Sequence, residues 1–296
     1  MGVFGAIEAG GTKFVCGVGT GPDDIVTTRI PTTSPETTVA AAVSWLRAES
    51  GGELRAVGIG SFGPVELKRD SPSYGHITST PKMGWRNFDL AGAVRKALSV
   101  PVAFDTDVNA SVLGEARWGA ARDVENCLYL TVGTGIGGGA ILSGRLLHGM
   151  THPEMGHVRI PHDLVRDPFR GNCPYHGDCL EGLASGPALE ARWGVSPLEL
   201  ADDHPAWVLE AEYLAYGIAN FVCTLSPELV LMGGGVMRRA RLFGMVRSEL
   251  SRLLAGYVAR VPEVIAPGLG DRAGVLGALA LGLEMKPEQD LGLVHV

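Results

Sequence analysis

Both halves of this chain open in the same way. Residues 2–19, Gly-Val-Phe-Gly-Ala-Ile-Glu-Ala-Gly-Gly-Thr-Lys-Phe-Val-Cys-Gly-Val-Gly, read as strand, glycine turn and strand. Leu128 to Val132, Gly133-Thr134-Gly135-Ile-Gly-Gly-Gly139 and Ala140 to Leu142 repeat that plan. A pattern used twice implies an ancient duplication, and hence two similar α/β lobes with a cleft between them. We expect the first lobe over 1–118 and the second over 119–272, with a boundary near 117–126. A last helix at about 273–290 could pack on either lobe, the first included.

The other elements follow. Arg29-Ile30-Pro31 ends a third strand, and Ser34 caps a helix from Pro35 through Leu46. Leu54 to Gly60 has the apolar run of a buried strand. It ends in Ser61-Phe62-Gly63-Pro64, at a strand's carboxyl end, where open α/β sheets place ligand groups. The polar stretch 66–88, with Tyr74, Trp85, Arg86 and Asn87, is a long excursion of the kind that often carries function. Leu90 to Leu98 is helical, Val102 to Phe104 a strand, and Thr106-Asp107-Val108-Asn109 caps a helix ending near Gly119. Ser143-Gly144-Arg145 is a hairpin turn and Ser185-Gly186-Pro187 starts a helix. Trp207 to Leu225 carries an apolar helical stripe. Glu228 to Met232 is a strand ending in a third glycine turn, Gly233-Gly234-Gly235-Val236-Met237. Helices at about 238–255 and 273–285 complete the chain.

With 296 residues, 46% hydrophobic and 19% charged, the chain can build two buried cores. A net charge of −7 without a Lys/Arg run gives no general attraction to nucleic acid. No apolar run approaches the roughly 18 residues of a membrane span, and no leader pattern is present, so the expectation is a cytoplasmic protein without membrane or nucleic-acid partners. Five cysteines, an odd number, fit a disulfide framework badly. Cys16, Cys127 and Cys223 lie in apolar contexts and are expected to be small buried side chains.

Each glycine cluster, taken alone, reads better as a tight hairpin. Three at strand ends, one with Thr12-Lys13 and another with Thr134, point to polyphosphate, because glycine lets backbone N–H groups approach an anion. Asp107, after a strand and at a helix start, has two readings by residue type: an N-cap, or a base for a hydroxyl proton. Its place at a strand end favours the base. Cys173-x-x-His176-x-x-Cys179 supplies three ligands of the kind Zn²⁺ prefers, and His157 is the nearest fourth, ahead of His152 and His162. Glu154 and His157, three apart, face the same way on a helical turn. Isolated Glu154 and Glu181 would be surface charges; beside a metal loop they suit a polar ligand.

In that order Glu8-Ala-Gly-Gly-Thr-Lys13, Thr106-Asp-Val-Asn-Ala110, Gly133-Thr-Gly-Ile-Gly137, Glu154-Met-Gly-His157, the Cys/His loop and Leu231-Met-Gly-Gly-Gly-Val-Met237 resemble the repressor–ORF–kinase (ROK) family of sugar kinases, closest to its bacterial fructokinase branch. The resemblance implies the two-lobed actin-like ATPase, ribonuclease-H-like α/β fold, with ATP and sugar meeting in the active-site cleft. It implies phosphate contacts from Gly10, Gly11, Thr12, Lys13, Gly133, Thr134 and Gly135, with Pro187, Gly233, Gly234, Gly235, Val236 and Met237 bordering the nucleoside. Asp107 becomes the catalytic base, and Gly63, Asn87, Glu154, His157 and Glu181 bind sugar hydroxyls. His157, Cys173, His176 and Cys179 become a closed, structural zinc site. Mg²⁺ with ATP, a homodimer and transfer to the 6-hydroxyl of D-fructose complete the expectation. Another hexose (glucose, mannose or an N-acyl hexosamine) is the nearest alternative. A sugar-responsive regulator and a zinc-stabilised sugar-binding protein without turnover are more distant ones. Two departures stand out: Glu8 replaces an Asp common in the family, and the metal loop carries His176 in place of a further Cys.

Overall fold

The computed structural model describes residues 2–285. The chain divides into two compact units. Among the described residues, one contains 2–122, 147–152 and 271–285, and the other contains 123–146 and 153–270.

In the first unit the chain forms β1 (Val3–Ala9), β2 (Lys13–Gly19), β3 (Val26–Pro31), α1 (Pro35–Ser50), β4 (Leu54–Ser61), β5 (His76–Ile77), β6 (Phe88–Asp89), α2 (Leu90–Leu98), β7 (Val102–Thr106) and α3 (Asp107–Trp118). The sheet order is β3-β2-β1-β4-β7, with β1–β2 and β2–β3 antiparallel and β1–β4 and β4–β7 parallel. The second unit holds β8 (Cys127–Val132), β9 (Ile136–Leu142), β10 (Arg145–Leu146), α4 (Leu180–Ala184), α5 (Gly186–Trp193), α6 (Ala206–Leu225), β11 (Leu229–Gly233), α7 (Ala240–Leu254) and β12 (Glu263–Ile265). Its order, β10-β9-β8-β11-β12, has the same directions. The duplication read from the glycine turns is therefore a duplication of sheet topology.

Local chemistry explains most element ends. Ser34 accepts from Thr37 N at 3.3 Å with Pro35 in the first turn, and α1 runs to Ser50, where Gly51 at φ 57° ends it. The helix thus outlasts its expected end at Leu46, because the Arg47-Ala-Glu-Ser50 turn stays helical until a left-handed residue is reached. The expected glycine turn 133–139 is shorter than read. Gly137, Gly138 and Gly139 lie in β9, paired with Thr131, Leu130 and Tyr129. Cys16 and Cys127 are buried as expected, whereas Cys223 is exposed, since its position on α6 falls off the buried stripe. All five cysteines are free. No helix of the described residues is long and apolar enough to cross a membrane.

The chain's last described helix, α8 (Ala273–Leu283), is built from small and apolar residues and is buried along nearly its whole length in the first unit. The residues expected to extend it from 286 to 290 lie outside those described. A Cβ on Gly277 would fall 1.6 Å from the carbonyl oxygen of Ala110 on α3, and one on Gly58 of β4 would fall 1.8 Å from that of Ala278. Backbone therefore meets backbone on both sides of α8, and no side chain can be interposed. Gly277→Ala should lower the free energy of unfolding by about 1–3 kcal/mol or more, because the obstacle is a fixed carbonyl. Gly244→Ala on α7, where nothing lies within 4 Å, should be neutral or stabilising by up to about 1 kcal/mol. Urea unfolding of both variants reads the contrast.

Candidate functional site

In the first unit, the β1–β2 turn carries Gly10, Gly11, Thr12 and Lys13. Gly10 N donates to Lys13 O at 3.0 Å, and Thr32 braces the turn from β3's end, donating its N–H to Thr12 O and its hydroxyl to Gly10 O. Gly11, Thr12 and Lys13 are exposed. The Glu8 side chain runs from β1 against α8, where a Cβ on Gly274 would lie 2.4 Å from its carboxyl carbon. Its Oε2 is buried without a hydrogen-bond partner. Burial pushes the Glu8 carboxyl up to about 7; Lys13 and Arg29 pull it down and Asp271 adds to the rise.

At the start of α3, Thr106 is the N-cap, its hydroxyl accepting from Asn109 N at 3.1 Å. Asp107 is instead the first helical residue, so the capping role available to it by residue type belongs to its neighbour. Its Oδ1 accepts from Val108 N at 2.9 Å. Among the other first-unit candidates, Gly63 precedes Pro64 through a cis bond in the turn after β4, and Asn87 is exposed with φ 57° beside the β5–β6 hairpin.

Sequence reading missed two first-unit residues. Asp105 is 4% exposed on β7 and bonds His148 Nε2 at 2.7 Å and Asn109 Nδ2 at 2.9 Å. The available signal was an acidic residue closing an otherwise apolar buried strand, two positions before Asp107. His148 had no comparable signal, since its partner lies 43 positions away.

The second unit gathers the remaining phosphate and nucleoside candidates. Gly133 N donates to Gly135 O at 2.9 Å, closing the turn that holds Thr134, and Gly133 O accepts from Gly186 N at 2.8 Å, at the α5 start that contains Pro187. Gly235 N lies 3.8 Å from where a Gly133 Cβ would be. Gly234 has φ 93°, and a Cβ there would sit 2.3 Å from Val132 O, so the Gly233–Met237 turn lies directly on the end of β8.

The second unit also holds the Cys/His cluster. One ligand atom each from His157, Cys173, His176 and Cys179 all lie within 4.8 Å of one another. His157 Nδ1 is 3.7 Å from Cys173 Sγ and 3.5 Å from Cys179 Sγ, and His176 Nδ1 is 3.6 Å from Cys173 Sγ. Tetrahedral zinc with ordinary Zn–S and Zn–N bonds needs ligand–ligand edges of about 3.4–3.8 Å. The donor set and spacing therefore fit a four-ligand zinc. Burial pushes the Cys179 thiol up to about 11, with Cys173 adding to the rise, so a thiolate pair here calls for a cation. His162, a lesser candidate, faces Asp167 O at 3.1 Å and Asp178 at 3.4 Å instead.

His157 reaches the cluster because Met155–His157 form a 3₁₀ turn laid on β9. A Cβ on Gly156 would fall 1.8 Å from Ile136 O, and one on Gly138 2.7 Å from Met155 Sδ, which explains Gly138 inside β9. The other ring nitrogen of His157, Nε2, lies 4.0 Å from Glu181 Oε1. Glu181 Oε2 accepts from Ile136 N at 2.9 Å, next to the glycine turn. One carboxylate thus bonds the backbone beside the Gly133–Gly135 turn and faces the histidine, a link that the residue order did not disclose. Glu154 precedes the 3₁₀ turn, and desolvation raises its pKa, opposed by His157 and assisted by Glu181. These three side chains form one polar group in the second unit, while Asp107 belongs to the first.

The sequence profile described as the ROK family matches residues 4–285. The chain is 41% identical to the fructokinase of Pediococcus pentosaceus over 94% of its own length and 97% of that protein's. Among solved structures it is similar to the ROK hexokinase from Thermus thermophilus, at 30% identity and a TM-score of 0.77, over 95% of this chain and 98% of that one. A ROK family glucokinase from Streptomyces griseus in complex with glucose and AMPPNP gives 27% identity and a TM-score of 0.77, over 96% of this chain and 100% of that one.

Glu8 yields a measurable pH effect. Its native pKa is raised above the ordinary 4.5, so the native state holds a proton that the unfolded chain releases. That contribution is complete below 4.5 and is lost as pH rises through about 7. Glu8→Gln should therefore gain on the wild type by up to roughly 3 kcal/mol between acidic and mildly alkaline pH. Urea unfolding at stepped pH measures the difference, which should be absent if Glu8 is ionised throughout.

Proposed function

The chain belongs to the ROK family, and on that premise we propose that it is an ATP-dependent fructokinase, converting D-fructose and ATP to D-fructose 6-phosphate and ADP. The observation that carries this reading is the position of Asp107: first residue of α3, with the cap role taken by Thr106. The whole-length identity to a fructokinase, above that to a glucokinase, supports fructose as the hexose.

In this reading Asp107 takes the proton of the 6-hydroxyl as its oxygen bonds to the γ-phosphorus. The bond from that phosphorus to the β–γ bridging oxygen breaks, and ADP leaves with the electron pair. A loose transition state needs position and charge neutralisation more than a strong base, so an ionised Asp suffices. Gly10 N and Gly133 N close their own turns, which leaves the exposed Gly11–Lys13 backbone and that of Thr134 and Gly135 to suit the phosphates, and Pro187 with Gly233–Met237 borders the nucleoside. Mg²⁺, bound mainly through ATP, would neutralise charge on the transferring group. Glu154, His157 and Glu181, with Gly63 and Asn87, would hold the sugar hydroxyls. A site whose buried polar groups require those hydroxyls rejects sugars that leave them unpaired. The resemblance also carries a homodimer and a cytoplasmic setting.

An ATP-coupled assay across hexoses should place D-fructose among the best substrates, and Asp107→Asn should lower its kcat by about 10²- to 10⁴-fold with binding of ATP and sugar retained. Near-normal turnover in that variant would remove Asp107 from its role, and poor use of fructose would remove the branch assignment.

His157, Cys173, His176 and Cys179 would hold zinc with no open position, which makes it a structural ion that keeps the loop in shape. Protein purified without chelator should contain about one zinc per chain. Cys173→Ser and His157→Gln should both lose it, and His157→Gln should also weaken sugar binding through its Glu181-facing nitrogen.

A further inference from the structure

The chain returns to the first unit over residues 147–152, and this segment meets the start of α3. Asp105 Oδ1 accepts from Thr106 N at 2.7 Å and from Asn109 Nδ2 at 2.9 Å, while Oδ2 lies 2.7 Å from His148 Nε2. Asn109 is fully buried, and its amide also donates to Leu147 O at 3.3 Å. Both amide hydrogens are thereby used, and a flipped amide would turn its oxygen onto the Asp105 carboxylate. With Nε2 protonated toward Asp105, the 3.3 Å approach of Asn109 Nδ2 to the same nitrogen is a contact between donors.

A carboxylate on a buried strand is expensive to leave uncompensated. Here the compensating side chain arrives from a distant segment, and the carboxylate stands two residues before the proposed base. We propose that His148 is a positioning residue for phosphoryl transfer: it pairs with Asp105 and, with Asn109, fixes the first turn of α3 under Asp107 while cancelling the negative charge beside it. This inference rests on Asp107 as the base.

The hydrogen bond to Asp105 raises the His148 pKa; partial burial opposes it, and the charge of Asp105 adds to the rise. The other charged or titratable groups on this side are Asp107 on α3, the Tyr74 phenol packed on Phe104, and Arg69 and Arg95, which act with Asp105 on Tyr74. His152 lies farther along the returning segment. Because the pKa is raised, His148 keeps its proton, and with it the ion pair, to a higher pH than an unpaired imidazole would, and the pair is lost as the ring deprotonates.

The test compares kcat–pH profiles of the wild type, His148→Gln and His148→Ala with fructose and ATP. Wild-type kcat should fall on the alkaline side as His148 deprotonates, and His148→Gln should lack that limb. His148→Ala should lower kcat roughly ten- to a hundredfold with KM for ATP little changed, since a displaced base loses rate without losing nucleotide contacts. Gln, which keeps a donor, should restore part of the loss. A purely structural role would lower thermal stability and leave the profile of the folded enzyme unmoved. Superimposable wild-type and Gln profiles would overturn the proposal. If the Ala variant does not fold, NMR titration of His148 carries the test. Its pKa should drop toward the ordinary value in Asp105→Asn, and an unchanged value would also overturn it. A wild type that phosphorylates no hexose would instead overturn the kinase reading, while the titration still reports the pair.

Discussion

The first unit depends on a contact that only glycine permits. Gly58 and Gly277 bring the backbone of α8 against β4 on one side and α3 on the other, at separations no side chain could share. This fixes more than packing. β4 ends in the Ser61–Pro64 turn, α3 begins at Asp107, and α8 begins beside Glu8. The candidate groups of the unit thus stand on elements locked together by main chain. Small changes in one of those elements have no compressible layer to absorb them.

The second unit uses the same topology with a different connection. Its sheet repeats the strand order, but the region between β10 and β11 carries the 3₁₀ turn of His157, the Cys/His loop and Glu181. Gly156 lets that turn lie directly on β9. Glu181 then joins the loop to the glycine turn through Ile136 N, and faces His157 with its other oxygen. The loop that would hold zinc and the turn that would hold phosphate are therefore mechanically coupled inside one unit.

The fold was legible because duplication, strand ends and caps are local signals. Ser34-Pro35, Ser185-Gly-Pro187 and Ser143-Gly144 each named an element boundary in three residues or fewer. The Cys/His grouping was legible for a similar reason: three of its members fall within seven consecutive residues. The extent of the second glycine turn was misread because glycine required for close packing looks like glycine required for a turn. Gly138 belongs to the first kind and Gly135 to the turn. Thr106 took the cap because a hydroxyl one residue earlier reaches Asn109 N. The Asp105–His148 pair could not be read at all, since it depends on a long-range return of the chain.

These details converge on a problem of charge. A protein of net charge −7 that handles a polyanion must limit the negative potential around the strand ends proposed to face phosphate. The first unit has carboxylates at three such places: Glu8 near the end of β1, Asp105 on β7 and Asp107 at the start of α3. Burial raises the Glu8 pKa to about 7, so it adds little charge under mildly acidic conditions. Asp105 is met by His148. Two different devices, desolvation and ion pairing, thus quiet two of the three acids. In the proposed reaction Asp107 would then work without an uncompensated like charge beside it, the condition a carboxylate base needs when the other reactant carries several negative charges.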